Sequence, residues 1–260
     1  MNINNLGLLN ILGLIVNEGS ANADFAIAKY ILSNIDRLQA ITVNELIDSS
    51  FVSRSSIRRF CRKLGYGNFS ELQSSLTAII FPSNIHLREF TSIKKNRNNL
   101  TSGLTEMIAD INTAVTDETI ADLVKSLQIH EDIVFLSSNN TSSNLIKFQQ
   151  ELFYVKKIIR LITANFDLNS TQKNSNANTL IVVVSISGVF SSAVEETVKA
   201  MKGNKNLITA NRNEYLSRSY DQVVYMSNND IEEDEIGLLG KYGITYLFDL
   251  ISQSYIFEYH

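Results

Sequence analysis

Hydrophobic positions follow one rhythm in the first half of the chain and another in the second. Up to about residue 127, apolar residues recur at spacings of three and four, as in Asp24–Leu38, and this period predicts amphipathic helices. From Asp132 onward, short apolar runs alternate with helical stretches. The run Leu180–Ser185 is almost unbroken and β-branched, which is typical of a strand buried on both faces. The pattern therefore predicts an all-α N-terminal part followed by an α/β part.

The α/β part is expected to form an open parallel sheet flanked by helices. The predicted strands are Ile133–Leu136, Ile158–Thr163, Leu180–Ser185, Asn206–Ala210 and Gln222–Met226. The predicted helices are Thr141–Tyr154, Ser191–Met201 and Ile236–Phe257. The polar segment Asn169–Asn178 is predicted to be a flexible loop. Ligands of such sheets bind outside the carboxyl ends of the strands, so the loops that follow the strands are candidate sites.

In the all-α part, the segment Phe51–Leu64 separates its apolar and basic residues onto two faces of a helix. On a helical wheel, the apolar residues occupy one arc of about 100°. They are Ile57, Phe60, Cys61 and Leu64. The segment also carries five cations and no acid, namely Arg54, Arg58, Arg59, Arg62 and Lys63. Such a helix can pack on a core and enter a DNA major groove, although a solvated basic helix has the same charge pattern.

The residues before this helix favour a helix-turn-helix. Thr42 and Glu45 have the spacing of a capping box, which predicts the start of a short helix. Four residues, Ser49–Val52, then lead to Ser53, a good N-cap for the basic helix. A helix, a short turn and a helix with a polar outer face form the layout of a helix-turn-helix.

The segment Val52–Leu72, VSRSSIRRFCRKLGYGNFSEL, resembles the end of the DNA-binding domain of the RpiR/MurR family of bacterial transcription regulators. Upstream, Ala28–Leu32 and Ile41–Leu46 resemble the earlier helices of that domain. Phe51 departs from the family, which often has a turn glycine there, and a phenylalanine is strained if this position needs a positive φ. The resemblance implies a DNA-binding domain over residues 1–76 that binds a double-stranded operator.

The expected DNA contacts are of two kinds. Ser55 and Arg59, near the start and on the outer face of the helix, are predicted to reach base edges. Three further cations are predicted to hold phosphates, namely Arg58, Arg62 and Lys63. The complete predicted set is Ser53, Arg54, Ser55, Ser56, Arg58, Arg59, Arg62 and Lys63.

The loop after the predicted strand Leu180–Ser185 suits an anion. In Ser185-Ile186-Ser187-Gly188, glycine lets backbone amides approach an anion, the serines add donors, and the following helix start adds a positive dipole. The sequence resembles the S-x-S-G loop of SIS (sugar isomerase) domains, which bind phosphosugars. By itself, it also fits an ordinary strand–helix turn. An RpiR-type head joined to a SIS domain is the usual arrangement of that family.

The loop after the first predicted strand differs more from the family. Ser137–Thr141 occupies the position of a glycine-rich G-x-G-x-S segment, but both glycines are absent and Thr141 replaces the serine. In the second loop, Phe190 stands where the family usually has Thr or Ser, and Ser191 follows it. The resemblance implies a phosphorylated sugar as effector, bound by Ser138, Asn139, Thr141, Ser185, Ser187, Gly188 and Ser191.

Length and charge fit two domains joined by a linker. The chain has 260 residues, of which 44% are hydrophobic, enough for two cores. The expected organisation is a helix-turn-helix domain at 1–76, a linker at 77–103 and a SIS-type domain at 104–260. A net charge of −4 with a local basic patch suits a protein that reads a DNA site rather than one that coats nucleic acid.

The chain is expected to reside in the cytoplasm without contacting a membrane. Leu6–Val16 is apolar, but at about eleven residues it is too short to span a bilayer, and no cation precedes it as in a signal peptide. Cys61 is the single cysteine, so no internal disulfide is expected, as in a reducing compartment. We interpret Cys61 as a small core residue, with a reactive thiol as the alternative.

No catalytic residue, metal site or cofactor is expected. The three histidines are scattered, and no metal-ligand spacing occurs. The acid cluster Glu232–Glu235 includes the candidates for the glutamate base that SIS isomerases use. We interpret the cluster instead as acids that complement the dipole of the last helix.

These features together predict a transcription regulator of carbohydrate metabolism whose SIS domain senses a phosphosugar. Two alternatives remain open: a regulator whose degenerate SIS domain serves only for dimerisation, and a phosphosugar isomerase with an added domain. We expect a homodimer or homotetramer for two reasons. Two DNA-binding heads can contact two half-sites. The final helix is also rich in apolar aromatic residues, namely Tyr246, Phe248, Tyr255 and Phe257.

Overall fold

The computed structural model describes residues 8–77, 92–163, 168–229 and 236–260. The chain divides into two compact units, Met1–Ile80 and Phe81–His260. Each unit has its own cluster of buried hydrophobic residues. Within the described ranges, every helix is too short or too polar to cross a membrane.

The first unit is entirely helical in its described part. Its α-helices are α1 (Leu8–Asn17), α2 (Ala23–Ser33), α3 (Val43–Ser50), α4 (Arg54–Lys63) and α5 (Phe69–Thr77). A 3-10 helix, Ile35–Ala40, connects α2 with α3. Each of the five α-helices contributes at least one completely buried or nearly buried side chain, including Leu12, Ile31, Leu46, Phe60 and Leu72. This shared core holds α4 in place with its polar side outward.

The second unit is a three-layer α/β structure. Its helices are α6 (Ile93–Ala114), α7 (Asp117–Ile129), α8 (Asn139–Tyr154), α9 (Leu168–Asn174), α10 (Val189–Ala200), α11 (Glu214–Ser217), α12 (Ile236–Leu238) and α13 (Ile244–Tyr259). Its strands are β1 (Asp132–Ser137), β2 (Arg160–Thr163), β3 (Thr179–Val184), β4 (Asn204–Thr209) and β5 (Gln222–Tyr225). A π-helix, Leu239–Gly243, separates α12 from α13.

All five strands are parallel, in the order β2-β1-β3-β4-β5. The chain therefore runs outward from β1 to β2 and then returns to place β3 on the other side of β1. All six residues of the central strand β3 are buried, as the apolar run predicts. The expected fold class, a helix-turn-helix domain followed by an α/β domain with an open parallel sheet, is confirmed.

One face of the sheet is covered by aromatic packing. Phe135 of β1, Phe148 of α8 and Phe248 of α13 form a cluster with ring centroids 4.8 to 5.9 Å apart. Phe248 and Tyr255 of the last helix are both buried in this core. They are therefore used inside the unit and do not form the spare apolar surface that the sequence suggests for oligomerisation.

Two predicted segments differ from the structure. The segment Asn169–Asn178 is predicted to be a loop, but its first six residues form all of α9 except Leu168, and Thr171 is buried there. The polar residues that suggest a loop also stabilise this turn, because the Ser175 hydroxyl donates to the Gln172 carbonyl and accepts from the Lys202 amide. Within the expected linker, α6 begins at Ile93, and residues 78–91 lie outside the described residues.

Candidate nucleic-acid interface and effector site

Helix α4 divides into a buried and an exposed face. Ile57, Phe60, Cys61 and Leu64 are buried, as the predicted apolar arc requires. Burial raises the pKa of the Cys61 thiol to about 11, which disfavours the reactive thiolate and agrees with a core residue. Ser56 of the predicted DNA-binding set is half-buried, and the other members are exposed, namely Ser53, Arg54, Ser55, Arg58, Arg59, Arg62 and Lys63.

The turn before α4 fixes where this helix starts. Phe51 caps α3 in the left-handed region, with φ 53° and ψ 39°, and its amide bonds to the Ile47 carbonyl. Holding a phenylalanine in this region costs on the order of 1 kcal/mol. Ser53 then accepts a hydrogen bond from the Ser56 amide at 3.1 Å, as expected of an N-cap. Phe51, which replaces the glycine that the resembled family often has in this turn, is thus the residue that adopts a positive φ.

Helix α3 is fixed by the buried side chain of Leu46 and by a polar cluster around Glu45. The Glu45 amide donates to the Thr42 hydroxyl at 3.1 Å, which is one half of the predicted capping box. The Glu45 carboxylate accepts from the Tyr30 hydroxyl at 2.9 Å and pairs with Arg37 at 2.8 Å. The hydrogen bond from Tyr30, followed by that from Arg37, lowers the pKa of Glu45 below its usual value. This cluster joins α2, the 3-10 helix and α3.

Two cations of the predicted set already have protein partners. The Arg54 guanidinium donates to the side-chain carbonyl of Asn44 at 2.7 Å. The Lys63 ammonium pairs with the Asp24 carboxylate at 2.9 Å, and this hydrogen bond raises the pKa of Lys63. A phosphate would have to compete with Asp24 for Lys63, so the Lys63 ammonium is less available to a phosphate than its position alone suggests.

The remaining three cations have no such partner. In the part of the chain that the structure describes, the guanidinium groups of Arg58, Arg59 and Arg62 make no hydrogen bond or ion pair with a protein group. All three are exposed and follow one another along the outer side of α4. Three guanidinium groups, with donors free for phosphate and base edges, form a surface suited to a polyanion.

The sheet order brings the two predicted effector loops together. Ser137, the last residue of β1, pairs in register with Val184, the last residue of β3. The strand order reverses between these two strands, and such a switch point is where ligands bind in open α/β sheets. The loop that contains Ser138 and the loop that starts at Ser185 therefore leave the sheet side by side.

The hydroxyl groups of the second loop are partly used within the protein. The Ser185 hydroxyl accepts from the Ser191 amide at 3.0 Å, and Ser185 is 3% exposed. The Ser191 hydroxyl bonds to the Tyr220 hydroxyl at 3.0 Å, in an environment where burial raises the pKa of Tyr220. These two serines brace the loop, so they offer less to a ligand than their sequence pattern suggests.

Other groups of this loop remain available. Gly188 has φ 80° and ψ −12° and caps α10, so the backbone turns sharply into the helix. Within the described residues, the amides of Ser187 and Phe190 donate to no protein acceptor, and Ser187 is half-buried. Amides at a helix start can bind an anion. The available donors are therefore mainly backbone groups and the Ser187 hydroxyl.

The first loop contributes a smaller set of groups. Ser138 and Thr141 are half-buried, and their hydroxyl oxygens lie 3.2 Å apart. Asn139 is the first residue of α8, and its side chain lies outside the described part of the structure. The Thr141 amide donates to the Ser138 carbonyl at 3.1 Å, which closes a tight turn at the helix start.

Three residues that complete this edge of the sheet are not in the predicted set. Asn211, after β4, donates to the Ser187 carbonyl at 2.8 Å and so fixes the second loop. Tyr220 holds Ser191, as described above. Ser137 is completely buried, and its hydroxyl has no partner among the described residues. The sequence gives no local signal for the roles of Asn211 and Tyr220, because their contacts join segments that lie more than 20 positions apart in the chain.

The described residues provide no metal site. Across the four described ranges, no three His, Cys, Asp or Glu side chains lie close enough together to hold a metal ion. The acid cluster Glu232–Glu235, the one source of candidates for an isomerase base, lies outside the described residues.

Sequence comparisons identify the first unit. The model of the rpiR-family helix-turn-helix domain matches residues 9–81. An uncharacterized HTH-type transcriptional regulator, TTE0211, of Caldanaerobacter subterraneus subsp. tengcongensis is 33% identical over 106 residues, covering 37% of this chain and 33% of that protein. The HTH-type transcriptional regulator GlvR of Bacillus subtilis is 24% identical over 166 residues, which cover 64% of this chain and 61% of GlvR. The chain thus spans less than two thirds of either curated relative.

One structural comparison extends over both units. The chain is similar to the Vibrio vulnificus NanR protein, solved in complex with ManNAc-6P, with a TM-score of 0.53 and 19% identity. That match covers 97% of this chain and 92% of NanR. The crystal structure of a hypothetical protein matches with a TM-score of 0.51 and 16% identity, covering 62% of this chain and 88% of the other. At these identities, the likeness concerns the fold alone, a helix-turn-helix domain followed by an α/β domain with a parallel sheet.

Proposed function

Because residues 9–81 form a helix-turn-helix domain of the rpiR family, we propose that the chain is a DNA-binding transcription regulator. Its second unit is proposed to sense a phosphorylated sugar and so link transcription to carbohydrate metabolism. The two curated relatives named above are themselves called HTH-type transcriptional regulators, which supports the first part of the proposal.

The observation that carries DNA binding is the outer face of α4. Arg58, Arg59 and Arg62 are exposed there without a protein partner in the described residues, while the opposite face is buried in the core. Unpaired cations on a rigid helix lose little when they exchange water for phosphate, and they release condensed counterions from DNA. The Ser53 cap and the buried face hold these groups in a fixed direction.

Selection from a random duplex library by the full chain, followed by fluorescence anisotropy on the selected duplex, tests this proposal. Arg59→Ala is expected to reduce affinity by about 1–3 kcal/mol and to relax the sequence preference, because Arg59 is proposed to contact a base edge. Arg97→Ala, which removes an exposed arginine from α6, serves as the control. Failure of the wild-type chain to enrich any sequence would contradict the proposal.

The effector part of the proposal places a phosphate at the switch point between β1 and β3. The free amides of Ser187 and Phe190, the start of α10 and the hydroxyls of Ser138 and Thr141 supply suitable donors. The likeness of fold to NanR, which was solved with a phosphorylated sugar, supports the choice of ligand class.

Thermal unfolding of the full chain in the presence of a phosphosugar panel tests the effector. An increase in melting temperature that Ser187→Ala removes is expected for a sensor. Ser217→Ala, on α11, is a matched control because its hydroxyl bonds locally to the Glu214 carbonyl. If no sugar changes the melting temperature or the DNA affinity of the wild type, the alternative of a dimerisation module replaces the sensor.

We further propose that the chain acts as a homodimer or homotetramer, since paired heads double the contacts across two half-sites. With Phe248 and Tyr255 buried, the apolar surface available for assembly lies elsewhere, including Phe153, Tyr154 and Ile158 at the end of α8 and beyond. Light scattering at micromolar concentration is expected to give at least twice the monomer mass. A monomeric mass would contradict this part of the proposal.

The isomerase alternative predicts turnover rather than binding. We propose that the chain is not an enzyme, and that a phosphosugar which stabilises it is recovered unchanged after prolonged incubation. Nuclear magnetic resonance of the recovered sugar gives the readout, and conversion to the keto or aldo isomer would favour the isomerase.

A further inference from the structure

Phe51 combines two properties that are rarely found in one residue without a function. Its backbone lies in the left-handed region with φ 53°, and its side chain is 95% exposed. A bulky residue in this region is strained, and an aromatic ring in water gains nothing from packing. The turn itself needs only a positive φ, which glycine supplies without strain. The ring therefore has no role in stabilising the described part of the first unit.

The position of Phe51 indicates what the ring contacts. It lies two residues before Ser53, so its Cα is at most about 7 Å from that of the N-cap. Helices of this type meet base edges with their first residues. From Phe51 to Leu64 the chain carries five cations and no acid, so the neighbouring surface attracts a polyanion. Duplex DNA is a polyanion that also offers apolar groups, namely deoxyribose and the thymine methyl.

We propose that Phe51 is a DNA-contacting residue, which packs its ring on a deoxyribose or a thymine methyl beside the start of α4. This inference rests on the proposed DNA-binding function and adds to it an apolar contact next to the arginines. Contact with another protein, including a second copy of the chain, is a different outcome of the same experiment. The cationic surroundings favour DNA over such a partner.

Two substitutions separate the ring from the backbone strain. Phe51→Ala removes the ring and keeps a side chain at the positive φ, whereas Phe51→Gly removes both the ring and the strain. Tyr215→Ala, at a residue that is 69% exposed on α11, is the control for loss of an exposed aromatic. Each full-length variant is measured on the duplex selected by the wild type, with calorimetry and light scattering in parallel.

Both substitutions are expected to weaken DNA binding about fivefold, without changing the salt dependence, because no charge is removed. Phe51→Gly is expected in addition to raise the melting temperature of the first unit by about 4 °C, since the strain is lost. Stability and affinity then move in opposite directions, which general damage to the fold does not produce. Tyr215→Ala is expected to change neither DNA affinity nor the salt dependence.

Unchanged affinity of both Phe51 variants, beside normal binding by the wild type, would overturn this inference and leave the proposed function intact. Loss of self-association by both variants at unchanged affinity per subunit would overturn it in favour of a protein contact. Absence of any DNA binding by the wild type would overturn the proposed function and this inference together.

Discussion

The outer face of α4 and the loop between β3 and α10 are both rich in polar side chains, but these side chains have different surroundings. On α4, three arginines face solvent without a protein partner in the described residues. In the loop, the hydroxyls of Ser185 and Ser191 bond to a backbone amide and to Tyr220. The number of polar residues in a segment therefore does not measure its capacity to bind a ligand. The number of polar groups without a partner inside the protein is the better measure.

This comparison predicts that substitutions in the loop reduce the stability of the second unit, whereas substitutions on the face of α4 reduce DNA affinity. The largest effect is expected from Gly188→Val. A Cβ at Gly188 would lie 2.5 Å from the Leu216 Cδ1 atom, at a φ of 80°. The strain and the clash are expected to lower the free energy of unfolding by about 2–4 kcal/mol.

Calorimetry of the full chain measures this loss, and DNA affinity without a sugar is expected to stay unchanged. Gly240→Ala is a suitable control, because a Cβ there meets no atom within 4 Å. A Gly188→Val protein of normal stability would contradict the packing described here. Ser187→Ala is the milder test of the effector, since it removes one hydroxyl without a clash.

Ser191→Ala is expected to have the next largest effect. It removes the partner of the partly buried Tyr220 hydroxyl, which should lower the free energy of unfolding by about 1–2 kcal/mol. In the double variant Ser191→Ala with Tyr220→Phe, the additional loss should be small, because no hydroxyl is left unpaired. Chemical denaturation of all three proteins measures the coupling, and additive losses would show that the bond does not brace the loop.

Within α4, Lys63→Ala and Arg62→Ala sharpen the comparison at neighbouring positions. Because Lys63 is engaged with Asp24, its removal should change stability by less than about 1 kcal/mol and hardly alter the salt dependence of DNA binding. Arg62→Ala should reduce the salt slope by about 0.9, the share of one phosphate contact. Equal reductions for the two variants would mean that Lys63 leaves Asp24 to bind phosphate.

The smallest effect concerns the cluster that supports α3. The pKa of Glu45 is lowered in the folded chain, so this carboxylate stabilises the first unit at neutral pH, and the contribution is lost as the pH falls below the ordinary value of 4.5. Glu45→Gln should therefore lower the melting temperature at pH 7, and the difference from wild type should vanish in acid. Asp48→Asn, at an exposed carboxylate of the same helix, is the control for removal of one negative charge.

Local signals in the sequence predicted much of the first unit. The Thr42 and Ser53 caps and the apolar arc of α4 all appear in the structure, because each depends on residues within one or two helical turns. The αL position of Phe51 was also indicated by the usual glycine. The pairing of Lys63 with Asp24 had no signal in the sequence, because these residues are 39 positions apart.

Non-local contacts explain what the sequence missed in the second unit. The apolar runs predicted five strands, but the order that places Ser138 beside Ser185 depends on strand pairing across the chain. The internal bonds of Ser191 and Ser187 involve Tyr220 and Asn211, both of which follow the next strand, β4. A pattern of small polar residues locates such a loop without revealing which groups face a ligand.

The salt dependence of DNA binding tests the central claim most directly. We compare the wild type with a triple variant that carries Arg58→Ala, Arg59→Ala and Arg62→Ala, and with a charge-matched triple variant in the second unit. The latter carries Lys125→Ala, Lys173→Ala and Lys202→Ala, all at exposed residues.

If the outer face of α4 binds DNA, the arginine variant loses about 1.8 from the slope of log K against log salt, because Arg58 and Arg62 are proposed to hold phosphates and Arg59 a base edge. The lysine variant keeps the wild-type slope. Equal slopes for the wild type and the arginine variant would contradict the assignment of α4 as the DNA-binding helix.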